Sequence, residues 1–214
     1  MPPRTKSSKR WLDEHFSDPY VEKAHAMGYR ARSAFKLIEI QEKDKFIKPG
    51  MFVVDLGAAP GGWSQVASHF IGRKGKLIAL DILPMEELPN VEFICGDFRE
   101  DEVLTQLTQS LEGRPVDVVI SDIAPNTSGV PSVDQARSMY LAELALEFTI
   151  EHLKVGGSFL VKVFQGVDFE AYHKRMKSEF LKVISRKPDA SRDRSREIYL
   201  LGLEKKAVIL RSEV

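Results

Sequence analysis

The chain has 214 residues, 31 basic and 31 acidic side chains, 43% hydrophobic residues and one cysteine. A single cysteine rules out an intrachain disulfide, which excludes a disulfide-stapled secreted scaffold and favours the reducing cytoplasm. No apolar run approaches the roughly 18 residues of a membrane span. The basic start MPPRTKSSKRW leads into acidic residues without the apolar stretch of a secretory signal. We therefore expect a cytoplasmic globular protein that does not contact membranes.

The zero net charge conceals an uneven distribution along the chain. Residues 1 to 48 carry 11 basic and 7 acidic groups, residues 49 to 150 carry 6 and 15, and residues 151 to 214 carry 14 and 9. Two basic ends around an acidic middle fit a polyanion-binding face beside a pocket for a cationic ligand. They fit an ordinary solvated surface equally well, so charge alone does not decide between the two.

The first predicted elements are a basic arm and one helix. Residues 33 to 44 place apolar side chains at positions 34, 35, 37, 38 and 40, which is the spacing of an amphipathic helix ending before Pro49 and Gly50. No internal repeat or long linker interrupts the chain, so we expect one domain over residues 1 to 214. Within it, residues 1 to 48 form the basic arm with a helical extension, and residues 49 to 214 form an α/β core.

The core alternates short apolar runs with helical segments. The runs lie at 51 to 56, 76 to 82, 91 to 97, 116 to 122 and 158 to 164, and the helical segments at 63 to 71, 100 to 111 and 134 to 154. This alternation predicts a parallel sheet with helices on both faces. A helix at about 168 to 180 then leads to strands at 181 to 188 and 197 to 204, the last of which we expect to run antiparallel.

Acidic residues follow three of these strands where a ligand is expected. Ligands of open α/β sheets lie beyond the carboxyl ends of the strands, where the strand order reverses. The second strand ends in Asp81, 24 residues beyond Gly57, an offset at which an acid can accept both hydroxyls of a ribose. Asp97 and Asp122 end the third and fourth strands. Each alone is typical of a turn, but the three together predict a nucleoside pocket.

The turn after the first strand, DLGAAPGGW, is built from small residues that let a ligand approach the backbone. Its glycines lack the G-x-G-x-x-G spacing of a pyrophosphate cradle, which disfavours a dinucleotide but permits a nucleoside. An acidic pocket without a phosphate cradle suits a cationic cofactor, and the sulfonium of S-adenosylmethionine fits. Trp63, at the start of the next helix, either covers this cofactor or belongs to the core.

Lys162 is the candidate catalytic residue because it lies inside the apolar strand SFLVKVFQG. A lysine in a buried strand is costly unless it is paired or functional. The predicted sheet brings Asp122 and Glu197 towards it, and a structural ion pair would explain only one of these carboxylates. It would also leave Lys36, on the helix before the sheet, without a role.

With these residues in place, the chain resembles the FtsJ/RrmJ (RlmE) family of ribosomal RNA large-subunit 2′-O-methyltransferases over nearly its whole length. The resemblance rests on the segments RWLDEHFSDPYV, RARSAFKLIEIQEKD, VVDLGAAPGGWSQ, LDILPM, GDFR, SDIAPNTSG, GGSFLVKVFQG and RKPDASRDRSREIYLL. It implies a Rossmann-like S-adenosylmethionine-dependent methyltransferase fold, with a seven-stranded, mostly parallel sheet and one antiparallel strand.

The resemblance also implies the residues that act. The family's catalytic tetrad falls on Lys36, Asp122, Lys162 and Glu197, and its cofactor positions fall on Gly61, Trp63, Asp81, Asp97 and Asp122. No metal is implied. The neighbouring carboxylates favour a charged Lys162, whereas desolvation and Lys36 oppose it, so its role as general base or as orienting cation stays open.

The implied reaction is methylation of a uridine ribose in the A-loop of 23S ribosomal RNA, within the large subunit, in support of late subunit assembly, by a monomeric enzyme. Another RNA, such as tRNA, is an alternative substrate. A nicotinamide oxidoreductase is the enzymatic alternative, although its glycine fingerprint is missing and Tyr140 is followed four residues later by Leu144 rather than lysine. A non-catalytic RNA-binding assembly factor is the alternative from another class.

We expect basic residues at both ends of the chain to bind RNA phosphates beside the cleft. Those in question are Arg4, Lys6, Lys9, Arg10, Arg30, Arg32, Arg192, Arg194 and Arg196.

Overall fold

The computed structural model describes residues 18–126, 128–192 and 195–207. Within these residues the helices are α1 (Pro19–Ala26), α2 (Ala34–Asp44), α3 (Gly62–Ile71), α4 (Asp101–Ser110), α5 (Pro131–His152) and α6 (Phe169–Glu179). Seven strands are β1 (Phe52–Leu56), β2 (Lys76–Asp81), β3 (Val91–Cys95), β4 (Val116–Ser121), β5 (Leu153–Phe164), β6 (Phe180–Arg186) and β7 (Glu197–Lys205). A 3-10 turn, Gly72–Lys74, links α3 to β2.

The seven strands form one sheet in the order β3-β2-β1-β4-β5-β7-β6. Strands β1 to β5 pair in parallel, and β7 runs antiparallel to both β5 and β6. The predicted mostly parallel sheet with one antiparallel strand is therefore confirmed. Strands β2 and β3 lie on one side of β1, and β4 lies on the other side. The strand order therefore reverses between β1 and β4.

Both faces of the sheet are covered, which explains why the strands have continuous apolar runs. Val53 and Val54 are fully buried although neighbouring strand residues point to opposite faces. Val54 packs in a core with residues of α4, α5 and α6. Val53 packs in a second core with residues of α2 and α3, and Trp63 and Tyr199 belong to this second core.

The structure differs from the predicted elements at two places. Strand β5 begins at Leu153, directly after α5 ends at His152, whereas the sequence pattern placed this strand at 158 to 164. Helix α1 is the second difference, because the sequence pattern assigns its segment to the arm. The Asp18 carboxylate accepts a hydrogen bond from the Tyr20 amide at 3.0 Å and Pro19 opens the helix, a typical start signal. Residues 1–17 lie outside the described residues.

Helix α2 is attached to the connection between β6 and β7. Arg186 donates two hydrogen bonds to the Asp44 carboxylate, at 2.8 and 2.6 Å. The Glu39 carboxylate accepts from the amides of Asp189 and Ala190 at 2.6 and 3.1 Å. These contacts bring α2 beside the first residues of β7. In the part of the chain that is described, none of the helices combines the length and apolar character of a membrane span.

Candidate active site

The turn between β1 and α3 forms the floor of the site. Gly57 has φ of 81°, and a Cβ there would lie 2.6 Å from the side chain of Ile123, so only glycine fits. The Gly57 amide donates to the Leu80 carbonyl at 2.8 Å. The turn is therefore held against the carboxyl end of β2.

A cavity of about 520 Å³ opens at the carboxyl ends of the parallel strands. Its lining includes Asp81, Asp97 and Asp122, together with Gly57, Ala59, Ile82, Leu83, Phe98, Arg99, Ile123, Arg137 and Tyr140. The three carboxylates expected at one pocket do line one cavity, because parallel strands bring their carboxyl ends to the same edge of the sheet.

The Asp81 carboxylate is oriented by the backbone on both sides. One oxygen accepts from the Ala59 amide at 2.9 Å and the other from the Leu83 amide at 2.8 Å. A carboxylate oxygen can accept more than one hydrogen bond, so both oxygens keep capacity for ligand hydroxyls. The geometry is consistent with the predicted contact of Asp81 with a ribose.

Asp97 is bound to Arg99, a residue that the sequence analysis did not single out. The Arg99 amide and side-chain Nε donate to the carboxylate at 3.0 and 2.9 Å. These hydrogen bonds and the guanidinium charge lower the pKa of Asp97, which keeps it ionised. Asp97 and Arg99 thereby form an ion pair at the wall of the cavity.

Neither Gly61 nor Trp63, both predicted to contact the cofactor, is among the residues that line the cavity. The Trp63 side chain is buried against Tyr199, with 5.6 Å between ring centroids, and its Nε1 donates to the Ser33 carbonyl at 2.9 Å. Its indole therefore belongs to the core and does not cover the cavity. The amides of the first helical turn have no partner within the helix, so they are the groups that can face a ligand.

Lys162 is nearly buried, with 8% of its side chain exposed, and forms an ion pair with Asp122. Its Nζ donates to the Asp122 carbonyl at 2.6 Å, and the Asp122 carboxylate lies 2.9 Å from the same nitrogen. The hydrogen bond to the carbonyl uses one of the three donor positions of an ammonium, which leaves a position that can meet a substrate oxygen.

Glu197 forms an ion pair with Lys36, with 2.6 Å between the Lys36 Nζ and the Glu197 carboxylate. It does not hydrogen-bond to Lys162. Burial raises the pKa of Glu197, but the ammonium of Lys36 and the charge of Lys162 outweigh it, so the pKa is lowered. Glu197 is consequently ionised at neutral pH. The sequence placed both carboxylates near Lys162, and the structure divides them between the two lysines.

Tyr199 connects the two pairs and was missed by the sequence analysis. It lies opposite Lys162 in the β5–β7 register, and its hydroxyl donates to the Asp122 carboxylate at 3.0 Å. The Lys36 ammonium lies 5.7 Å from its ring centroid. Burial, and then the charges of Asp122 and Glu197, raise the pKa of Tyr199 well above its usual range. The available signal was its spacing, because residues 197 and 199 of a strand share one face.

Asp55 is a second carboxyl group whose setting only the structure reveals. It is fully buried in β1, one oxygen accepts from the Ser64 hydroxyl at 2.6 Å, and the other has no partner among the described residues. Burial raises its pKa to about 7, and the charges of Asp122 and Asp81 act in the same direction. The acidic cavity thus has a further titratable group behind it.

Several basic residues expected to bind RNA have protein partners. The guanidinium of Arg30 donates to the carbonyls of Pro60, Glu86 and Glu87. Arg32 forms an ion pair with Asp18. Arg192 approaches Asp18 at 3.8 Å. The side chain of Arg196 is exposed. Arg4, Lys6, Lys9, Arg10 and Arg194 lie outside the described residues.

The chain matches the FtsJ-like methyltransferase family over residues 29–205. It is 60% identical over 199 residues to ribosomal RNA large subunit methyltransferase E of Chromobacterium violaceum, covering 93% of this chain and 97% of that protein. It is 59% identical to the protein of the same name from Pseudomonas aeruginosa, again over 199 residues, covering 93% and 96%. A Plasmodium falciparum crystal structure described as a ribosomal RNA methyltransferase superposes with a TM-score of 0.73 at 30% identity, covering 83% of this chain and 98% of that one. The chain therefore belongs to the FtsJ-like methyltransferase family.

Proposed function

We propose that this protein transfers the methyl group of S-adenosylmethionine to the 2′-oxygen of a uridine ribose in the A-loop of 23S ribosomal RNA. The family membership supports the reaction class. The name of the relatives, ribosomal RNA large subunit methyltransferase E, supports the RNA. The observation that carries the proposal is the Lys162–Asp122 ion pair, whose carboxylate lines the acidic cavity.

The residues of the cavity fit S-adenosylmethionine in size and charge. The volume of about 520 Å³ lies within the roughly 300–1,000 Å³ common for small-molecule sites. Asp81 would accept the ribose hydroxyls, and its negative charge favours a sulfonium. The carboxylates of Asp97 and Asp122 also line the cavity, and their charges are offset by Arg99 and Lys162. The Trp63 amide, in the first turn of α3, has no partner within the helix and would complete the set, whereas the Gly61 amide is held by the Ala58 carbonyl at 2.7 Å. When bound, the cofactor supplies an electrophilic methyl group to the attacking oxygen.

Lys162 is the residue we assign to the 2′-hydroxyl, which is a poor nucleophile until its proton is drawn away. Its Nζ donates to the Asp122 carbonyl and lies beside the Asp122 carboxylate, so it would meet the hydroxyl at a remaining position of the nitrogen. General base and orienting cation both act from that nitrogen. Tyr199 and the Lys36–Glu197 pair hold Asp122 and the surrounding charges in place. Fixing both reactants at attack distance supplies on the order of 7 kcal/mol in favourable systems.

The proposal includes the substrate and its setting. The RNA is bound within the large ribosomal subunit, in the cytoplasm and late in subunit assembly, by a monomer with one domain. Residues 1–48 and the basic connection before β7 supply phosphate contacts around the cleft. A nicotinamide oxidoreductase is disfavoured by membership of a methyltransferase family. A non-catalytic assembly factor is disfavoured because RNA binding alone does not need a buried lysine paired with a carboxylate that lines a cavity.

The test is to map the modified ribose. Large subunits and free 23S RNA from cells lacking this protein are incubated with the purified protein and methyl-labelled S-adenosylmethionine, and 2′-O-methyl positions are read by mass spectrometry. We expect one methylated uridine in the A-loop. Transfer to tRNA or to another site, with the A-loop unmodified, contradicts the proposal. Comparing the two substrates shows whether the assembled subunit is needed.

A further inference from the structure

Arg30 lies in the segment between α1 and α2, and its guanidinium is bound to backbone carbonyls on two different loops. Nη1 donates to the carbonyl of Pro60 at 3.3 Å and to that of Glu86 at 2.7 Å. Nη2 donates to the carbonyl of Glu87 at 2.9 Å. The side chain is 21% exposed. These bonds engage both terminal nitrogens of its guanidinium.

The two loops are those that form the cofactor cleft. Pro60 belongs to the turn after β1, which is tied to Asp81 through the Ala59 amide. Glu86 and Glu87 belong to the connection after β2, whose first residues, Ile82 and Leu83, line the cavity. The loops also pack closely around Arg30, because a Cβ at residue 61 would lie 3.0 Å from its Nη1 and 2.8 Å from the Met85 sulfur.

The backbone of Arg30 is fixed as well, so the guanidinium is held from both ends. Its amide donates to the side-chain oxygen of Gln65 on α3 at 2.8 Å. The side-chain amide of Gln65 donates to the Gly28 carbonyl at 3.0 Å. The segment before α2 is thereby attached to α3, the helix that follows the turn after β1. Helix α2 carries Lys36.

We propose that Arg30 is a positioning residue for cofactor binding: it holds the turn after β1 and the connection after β2 at the separation that S-adenosylmethionine requires. The inference rests on the proposed function and assigns Arg30 to the cofactor rather than to RNA phosphates. An arginine suits this role because its planar fork spans two loops with several donors in fixed directions. A lysine has a single nitrogen and cannot reproduce that arrangement.

Arg32 provides a matched control, because it has the same charge in the same segment but different partners. Its guanidinium donates to the Ala190 carbonyl and forms an ion pair with Asp18. These partners lie on α1 and on the connection before β7, not on the loops bound by Arg30. Loss of charge or of general stability affects both variants, whereas loss of loop positioning affects only Arg30.

The experiment compares Arg30→Ala, Arg30→Lys and Arg32→Ala as full-length proteins, with circular dichroism confirming that each is folded. Calorimetric titration with S-adenosylmethionine should give a Kd raised about tenfold or more for Arg30→Ala, because charged hydrogen bonds that order the site are lost. Arg30→Lys should recover this loss only in part, and Arg32→Ala should stay within about twofold of wild type. At saturating cofactor, kcat of Arg30→Ala should fall much less than its apparent affinity.

Hydrogen exchange gives a readout that does not depend on the cofactor. Amides of residues 82 to 90 should exchange faster in Arg30→Ala than in Arg32→Ala or wild type. Unchanged exchange together with unchanged cofactor affinity overturns the assignment. Weaker RNA binding with normal cofactor affinity returns Arg30 to the RNA contacts. If wild type itself does not bind S-adenosylmethionine, the proposed function fails, whereas the exchange result still tests the loop contacts.

Discussion

At the residue scale, the proposed chemistry depends most on Lys162, and replacing it tests that role directly. We expect Lys162→Ala to lower methyl transfer by about 10²-fold or more, since its contribution belongs to the transition state. Cofactor affinity should be retained, because the residue meets the substrate oxygen. Lys162→Arg should fail as well, since a guanidinium keeps its proton and has a different shape. Single-turnover methylation and calorimetry measure the two properties, and near-normal transfer in Lys162→Ala would remove it from the reaction.

Asp55 predicts a pH dependence of stability. Its pKa is raised from the ordinary value near 4 to about 7 in the folded protein. Between these values the folded chain binds more protons than the unfolded chain, so the free energy of unfolding decreases as the pH rises. The effect of the single group amounts to about 4 kcal/mol, at roughly 1.4 kcal/mol per pKa unit. The full decrease in the free energy of unfolding is reached once the pH exceeds the pKa of Asp55 in the folded protein.

Asp55→Asn isolates this contribution because asparagine does not titrate. The unfolding free energy of Asp55→Asn minus that of wild type should increase from pH 4 to 7 and level off above it, as measured by urea denaturation. Ser64→Ala removes a hydrogen bond that lowers the pKa of Asp55, so it should move the change to higher pH. A difference that stays constant over the whole range shows that Asp55 is not shifted.

At the element scale, α5 and β5 join without a loop, and Lys205 of β7 closes the junction. Its side chain is 6% exposed. Its Nζ donates to the carbonyls of Thr149 and Leu153, at 3.4 and 2.7 Å, and to that of Ile150. The Thr149 carbonyl also accepts from the Leu153 amide, whereas the Ile150 carbonyl lies in the last helical turn, where carbonyls lack partners within the helix. A positive charge there also complements the helix dipole.

We expect Lys205→Met to lower the free energy of unfolding by about 3 kcal/mol, because it leaves buried carbonyls without donors. Lys206→Met is the matched control. That neighbouring lysine donates to the carbonyls of Lys177 and Ser178 at exposed positions, so its loss should change stability by about 0.5 kcal/mol or less. Urea denaturation of both variants measures the difference, and equal losses contradict the role given to Lys205.

At the scale of the whole molecule, two groups of basic residues lie at opposite ends of the parallel strands. Arg192 and Arg196, in the connection before β7, lie at the end of the sheet that carries the site. Arg194 belongs to the same stretch of sequence but lies outside the described residues. Arg73, Lys74 and Arg114 precede β2 and β4 and therefore lie at the amino ends of parallel strands, opposite the cavity. This arrangement supplies two triple variants that remove the same charge.

We expect glutamine at Arg192, Arg194 and Arg196 together to weaken RNA binding and to flatten the dependence of log Kd on log salt by roughly 2, at about 0.7 per phosphate contact on single strands. Deleting residues 1–10 should have a similar effect. Glutamine at Arg73, Lys74 and Arg114 should leave the slope unchanged. Fluorescence anisotropy over a salt series measures these slopes, and equal slopes in all proteins show that the basic ends do not contact RNA.

Much of this arrangement could be predicted from local patterns. Apolar runs ending in Asp81, Asp97 and Asp122 were enough to predict a parallel sheet with three acids at one edge, because strand period and strand direction are local properties. The antiparallel β7 was expected from its short connection to β6. Helix α1 was missed, although Asp18 and Pro19 were a readable start signal.

The sequence by itself determined the sheet, the acidic edge and the buried Lys162, because burial pattern and strand ends follow from neighbouring residues. Only the tertiary structure decided which partners meet. Lys162 forms its ion pair with Asp122, and Glu197 forms one with Lys36. The antiparallel register of β7 explains this, because it sets Tyr199 and not Glu197 opposite Lys162. Arg30 contacts the turn after β1 and the connection after β2 because the segment before α2 is held against α3. Such pairings join residues far apart in the chain, and their geometry depends on how whole elements pack.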